Sequence, residues 1–171
     1  MDRQPQFQRW TASPLRLIVG LGFVAHGYAK LVHGPQHFVD ALQGLGIPWP
    51  GFMGWLTILV ELVGGLAVLA GTWVRLVSIP MAAILLVAAF TVHLPYGFSS
   101  VKLQAVTSAG PQFGKPGYEV DLLYLACLAA LVLGGSGPGS ARELLVRWKD
   151  RRKMTSSSTG PPRPSEADPS P

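Results

Sequence analysis

Charge is scarce in this chain and cysteine is nearly absent. Lys, Arg, Asp and Glu make up 13% of the 171 residues, where a soluble domain carries about 25%, so an ordinary water-facing surface is excluded. The lone cysteine, Cys127, excludes an intramolecular disulfide and a cysteine-based metal cluster. No phosphate-cradling glycine loop, nucleophile elbow or paired-cysteine redox motif occurs. Acidic residues are few too, nine against fourteen Lys and Arg, which leaves a net charge of +5. Most of that excess sits in the terminal segments, where anionic headgroups and membrane topology account for it, so no nucleic-acid partner is expected.

What the chain has is long apolar runs. It is 49% hydrophobic with a mean hydropathy of +0.33, and four runs stand out, at about 15–32, 52–71, 76–94 and 120–134. Roughly 18 apolar residues suffice for a membrane-spanning helix. The expected fold is an all-α membrane protein, a four-transmembrane-helix bundle within 14–138. The first run is too long for a signal-peptide core and no small-residue cleavage site follows it, so it is read as a retained span. Flanking segments divide the rest into a short N-terminal piece at 1–13, a basic amphipathic juxtamembrane stretch at 139–153, and a Ser/Pro-rich disordered tail at 154–171. Between the first two spans, 35–44 reads as a short interfacial helix, and within the 95–117 loop, 101–106 reads as a short strand or helical turn. Lys30, Lys102 and Lys115 fall on one side of such a bundle and the other eleven of the fourteen basic residues on the opposite side. The positive-inside rule then places both termini in the cytoplasm, and the expected location is the inner (plasma) membrane as a multi-pass protein.

Ionisable groups inside apolar spans are costly and usually face protein or water. His26 and Lys30 lie four apart on one face of the first span, and Glu61 lies about 13 Å in from the outer end of the second. His93 closes the third span, and Glu119 and Asp121 open the fourth. All six therefore come to the outer half of the bundle: a candidate polar pocket of His26, Lys30, Glu61, His93, Glu119 and Asp121. Such a pocket suits proton exchange or a polar ring such as a quinone head; the competing structural reading has Glu61 paired with Lys30 or His26 to fix helix packing. Gly64 and Gly65, sharing a face with Thr57 and Glu61, permit close approach of a neighbouring helix. Bis-histidine haem ligation by His26 and His93 and a helical metal pair from His33 and His37 are considered and set aside, because His93 lies beside Pro95 at a helix end and Pro35 interrupts the His33/His37 turn.

Four stretches carry a family resemblance: AHGYAKL ending the first span, VELVGGLAVLAG in the second, FTVHLPYGF ending the third, and GYEVDLLYLACLAALVLGG in the fourth. Together they resemble the DoxX family of small four-helix membrane proteins, with the motif positions falling on His26, Gly27, Lys30, Glu61, His93, Pro95, Gly97, Tyr118 and Glu119. The resemblance implies a four-helix bundle with cytoplasmic termini. The family takes its name from a subunit of an archaeal thiosulfate:quinone oxidoreductase, and other members are linked to oxidative-stress complexes or to membrane-protein chaperoning. The expectation is thus a redox-associated subunit of an inner-membrane oxidoreductase complex, with a quinone as the implied cofactor and no metal. In it Glu61 and His26 handle a proton while Lys30 and Glu119 set the local charge. Expected partners are the lipid bilayer, an oxidoreductase protein and further copies of the chain. The alternatives are a non-catalytic scaffold or chaperone and a small-solute carrier.

Overall fold

The computed structural model describes residues 10–135, 137 and 140. The expected basic stretch at 139–153, apart from Ser140, and the tail at 154–171 lie outside the described residues, as does most of the N-terminal piece. Helix α1 runs Ala12–Val32, with Pro14 in its first turn, where a missing N–H costs least. It ends at Gly34, whose φ of 94° leaves the helical region, and Pro35 then opens α2, Pro35–Gly44. The expected short helix is therefore present. Helix α3 runs Pro50–Ala70 and α4 Val74–Tyr96, and α5 covers Glu119–Gly134.

Two of these helices are not regular. In α3, Val60–Gly64 forms a π turn, and in α4, Ala89–His93 forms another before a final 3-10 turn, Leu94–Tyr96. A π turn takes one extra residue into the helix and re-aims the side chains around it. The loop between α4 and α5 holds a two-stranded antiparallel hairpin, β1 Leu103–Thr107 and β2 Gly110–Phe113, with Leu103 opposite Phe113. Of the strand or helical turn expected at 101–106, the strand is what forms, over 103–107, and a second strand pairs with it.

The four long helices share one core. Val19 and Phe23 of α1, Val68 of α3, Met81 and Leu85 of α4, and Leu128 and Leu131 of α5 are buried together. Around that core the molecule is apolar outward: Ile18, Phe52, Leu66, Ile79, Phe90 and Leu123 are all well exposed. An exterior of this kind is satisfied by lipid, not water. Three helices, α1, α3 and α4, are long and apolar enough to cross a membrane, and at most a third of the apolar stretch of each is buried within the chain. Helix α5, at 16 residues, is shorter than these.

Helices α1 and α3 run antiparallel in close contact. A Cβ built on Gly65 would lie 2.9 Å from the Gly20 carbonyl oxygen, and one on Gly20 would lie 2.8 Å from that of Gly65. The two backbones touch at that point, as small residues allow in membrane interfaces. Gly64 and Gly65, adjacent in the chain, serve different neighbours: Gly65 meets α1, while Gly64 packs on Met81 of α4. At one end of the bundle Gly71, with φ 67°, turns the chain from α3 toward α4 against Arg16 and Ser140. The opposite end gathers the polar residues.

Candidate functional site

The close packing of α1 on α3 sets up the first pair. Gly27 is buried with its α-carbon facing Leu62 and Glu61, where a Cβ would lie 3.0 Å from the Glu61 Cβ. One turn further along α1, Lys30 Nζ donates to both carboxylate oxygens of Glu61, at 2.6 Å each. Glu61 is only 5% exposed, and it stands in the π turn of α3. Lys30 also lies over the Phe38 ring, 4.8 Å from its centroid, so helix α2 covers the ammonium. An ammonium desolvated over an aromatic face gains about 2 kcal/mol. Of the two partners the sequence allows for Glu61, the structure selects Lys30.

The second pair joins α4 to α5. His93, closing the π turn of α4, has its Nδ1 2.5 Å from Oδ2 of Asp121. Asp121 is 6% exposed. Assigning the shared proton to Nδ1 leaves Nε2 of His93 as a hydrogen-bond acceptor. This joint is pinned from outside by the loop after α4. The Tyr118 and Glu119 N–H groups donate to the Gly97 and Phe98 carbonyls, and the Ser100 N–H donates to Glu119 Oε2 at 2.9 Å. Phe98 and Tyr118 stack edge to face, and Gly97, with φ 72°, makes the bend. Pro95 sits in the 3-10 turn that leads into it. Gly97, Tyr118 and Glu119 thus act as a clasp at the start of α5.

The two pairs face one cavity of about 400 Å³. Lys30, Glu61, His93 and Asp121 line it, together with His26 and, from α5, Tyr124. Five of the six expected pocket residues are therefore brought together. Glu119 is not among them: its carboxylate is turned to the 97–100 loop. The reason is helical geometry, since residues two apart point to different sides of a helix, and Asp121 takes the inward side. Glu119 is accordingly a clasp residue and does not set the charge of the cavity.

Two residues go beyond the expected set. Tyr124 crosses from α5 toward α1, edge to face with Phe23 at 5.8 Å, and its hydroxyl occupies the space where a side chain on Gly22 would go. Its signal in the sequence is its position three residues after Asp121, the same face of the helix. Among the described residues, neither the Tyr124 hydroxyl nor the His26 ring has a hydrogen-bond partner. Arg16, which the charge count assigns to the N-terminal side, is 8% exposed inside α1 and packs near Gly71 at the far end of the bundle. It is remote from the cavity.

The family model for DoxX matches residues 11–94, which include α1, α3 and nearly all of α4. Over 84 residues, 49% of this chain, the sequence is 33% identical to a Bacillus subtilis protein named "Putative oxidoreductase CatD". That match spans 60% of the Bacillus protein, less than two thirds of its length. Over 152 residues the chain is 30% identical to an uncharacterized membrane protein of Mycobacterium tuberculosis, covering 85% of this chain and 82% of the other. No solved structure matches. Helix order, apolar exterior and the AHGYAKL and VELVGG stretches that bring Lys30 onto Glu61 lie within the matched residues, and the chain belongs to the DoxX family.

Proposed function

We propose that this chain is a four-span inner-membrane subunit of an oxidoreductase system, with both termini in the cytoplasm, and that its polar cavity receives the ring of a quinone-class electron carrier. The observation that carries this is the convergence of His26, Lys30, Glu61, His93, Asp121 and Tyr124 from four helices on one cavity. A quinone ring presents two carbonyl oxygens and needs donors to hold them. The cavity supplies two groups not committed to other described residues, the His26 ring and the Tyr124 hydroxyl, so the chemistry of the donor set fits. Its volume also falls within the usual range of about 300–1,000 Å³ for small-molecule sites.

When reduced, such a carrier takes up protons along with electrons, and the chain's own residues account for the protons. The His93–Asp121 hydrogen bond can hold a proton and release it at Nε2 of the ring. Glu61 accepts two hydrogen bonds from Lys30 and offers the second carboxylate on the cavity wall. Electrons come from the partner oxidoreductase; the name of the Bacillus relative supports an oxidoreductase setting and nothing finer.

The test is quinone extraction from the detergent-purified chain, wild type against Glu61→Gln. A co-purifying quinone that is lost in a folded Glu61→Gln protein supports the reading. A wild-type protein that neither carries nor takes up quinone removes it.

A scaffold role is the second reading, favoured by the hairpin. All residues of β1 and β2 except Gly110 are exposed, including Leu103, Val106 and Phe113. Under this reading, replacing 103–113 with a short Gly/Ser turn abolishes association with a partner protein, and Glu61→Gln does not.

A further inference from the structure

A second, larger cavity of about 670 Å³ lies beside the polar one, under helix α2 and between α3 and α4. Its lining is apolar apart from Thr57, Thr91 and the Lys30–Glu61 pair. Thr91 turns its hydroxyl back onto the Val87 carbonyl at 2.7 Å, which leaves its methyl as the exposed part. Helix α2 can lie this close to α3 because Gly54 faces Val39, Leu42 and Phe38 without a side chain of its own. The cleft is therefore roofed by α2 and walled by α3 and α4.

The two cavities share a wall: Lys30, Glu61, Ile84 and Ala88 line both. Ile84 and Ala88 are one turn apart on α4, and the small side chain of Ala88 stands at the junction. A polar chamber adjoining an apolar cleft across so thin a wall fits one kind of molecule, an amphiphile with a compact head and a single apolar chain. Charge decides the head. The ionisable groups of the polar cavity are Lys30, Glu61 and Asp121, with His26 and His93; with neutral histidines the formal sum is negative. An anionic phospholipid head would be repelled there, and its cation is already bound to Glu61. A neutral ring meets no such penalty.

We infer that the cleft is the binding site of the isoprenoid chain of a quinone-class ligand, which passes over Ala88 from the ring site and lies beneath α2. This rests on the polar cavity being the ring site. It adds a source of affinity and a means of selecting long-chain carriers, because apolar burial scales with chain length.

The experiment uses the full chain in detergent micelles with two probes, a tailless dimethoxy-methyl-benzoquinone and its homologue with a long isoprenoid chain, binding being followed by quenching of tryptophan fluorescence. The wild type is expected to bind the long-chain probe roughly tenfold or more tighter than the tailless one. Ala83→Phe, from α4, and Ala41→Phe, from α2, each fill the cleft without touching the ring cavity. Both are expected to abolish the advantage and leave the tailless affinity unchanged. Equal affinities in the wild type, or an advantage that survives both substitutions, overturns the inference. Displacement of the long-chain probe by anionic phospholipid overturns it as well and makes the cleft a lipid site. If the tailless probe fails to bind the wild type, the ring site itself is refuted; if it binds and the chain adds nothing, only the cleft is. Thermal melting identifies a variant that does not fold, the two substitutions lie on different helices, and the wild-type comparison stands without either.

Discussion

The Lys30–Glu61 pair is where stability and chemistry compete most directly. A buried carboxylate and a part-buried ammonium held at 2.6 Å gain from each other much of what they lose by leaving water, so the net stabilisation of such a pair is small. Removing one partner is another matter, because it strands a buried charge at a cost of about 3–5 kcal/mol. Lys30→Met is therefore expected to lower the thermal stability of the purified protein sharply. The double variant Lys30→Met/Glu61→Leu, which replaces the pair with apolar side chains of similar size, is expected to melt near the wild type. It should nevertheless carry no quinone, since the cavity wall has lost both polar groups. That combination, a stable fold with an empty site, separates a functional pair from a packing device. If the double variant retains its quinone, the pair only fixes α1 against α3. His93 and Asp121 do not lend themselves to the same exchange, because His93 retains 26% of its side-chain exposure and its partner is held by the adjoining clasp.

Glu61 and His93 both stand in π turns, and this pattern joins the helices to the site. In α3 the turn Val60–Gly64 presents Glu61 to α1 while keeping Gly64 on Met81 and Gly65 on Gly20. A regular helix would have to give up one of these alignments. Deleting Val63, a lipid-exposed residue of that turn, returns the segment to α-helical register. The deletion is expected to destabilise the wild type by about as much as breaking the ion pair, ~3–5 kcal/mol. In the Lys30→Met/Glu61→Leu background it is expected to cost little, and chemical or thermal unfolding of the four proteins measures the coupling. Equal costs in both backgrounds would mean that the turn serves the Gly64–Met81 packing. None of this is legible in the sequence, because VELVG reads as ordinary helix and an i→i+5 turn has no residue signature of its own. The helices themselves are legible from the length of the apolar runs, and their breaks from Gly34-Pro35 and Trp49-Pro50. Five of the six pocket residues follow from depth alone. Glu119 needed the angular argument as well, since two residues on a helix separate by more than half a turn, and the same argument would have found Tyr124. The strand Gly110–Phe113 is masked by Pro111 and by its length of four residues.

Taken whole, the molecule has two ends of different character. Helix α3, at 21 residues, measures about 31 Å, close to the ~30 Å hydrocarbon thickness of a bilayer. A tryptophan stands at each of its ends: Trp49 and Trp73 are 76% and 79% exposed, and both adopt a left-handed backbone with φ 49°. A bulky residue held there stores roughly 1–3 kcal/mol of strain, and an indole placed at each headgroup level offsets it as an interfacial anchor. The polar cavity, the clasp and the hairpin all lie at the Trp49 end; Arg16, Gly71 and Ser140 lie at the Trp73 end. Helix α5 returns from the first end toward the second, since Asp121 meets His93 while Ser140 lies beside Gly71. At 16 residues α5 is only about 24 Å long, and whether it crosses decides between three spans and four. Cysteine accessibility in intact cells answers this, because the chain has a single native cysteine that can be removed as Cys127→Ser. With that background, Ser108→Cys in the hairpin is expected to react with a membrane-impermeant maleimide from outside. Ser157→Cys, beyond α5, is expected to react only after the cells are permeabilised. Four crossings require opposite sides for the two positions. If both label from outside, α5 does not traverse the bilayer, the C-terminus is extracytoplasmic, and the basic C-terminal residues contradict the positive-inside rule. If Ser108→Cys is protected and Ser157→Cys labels, the bundle is inverted and the cavity opens to the cytoplasm. Proton exchange at the cavity, as proposed, would then draw from the cytoplasmic pool, and the proposed oxidoreductase partner would have to dock on that side.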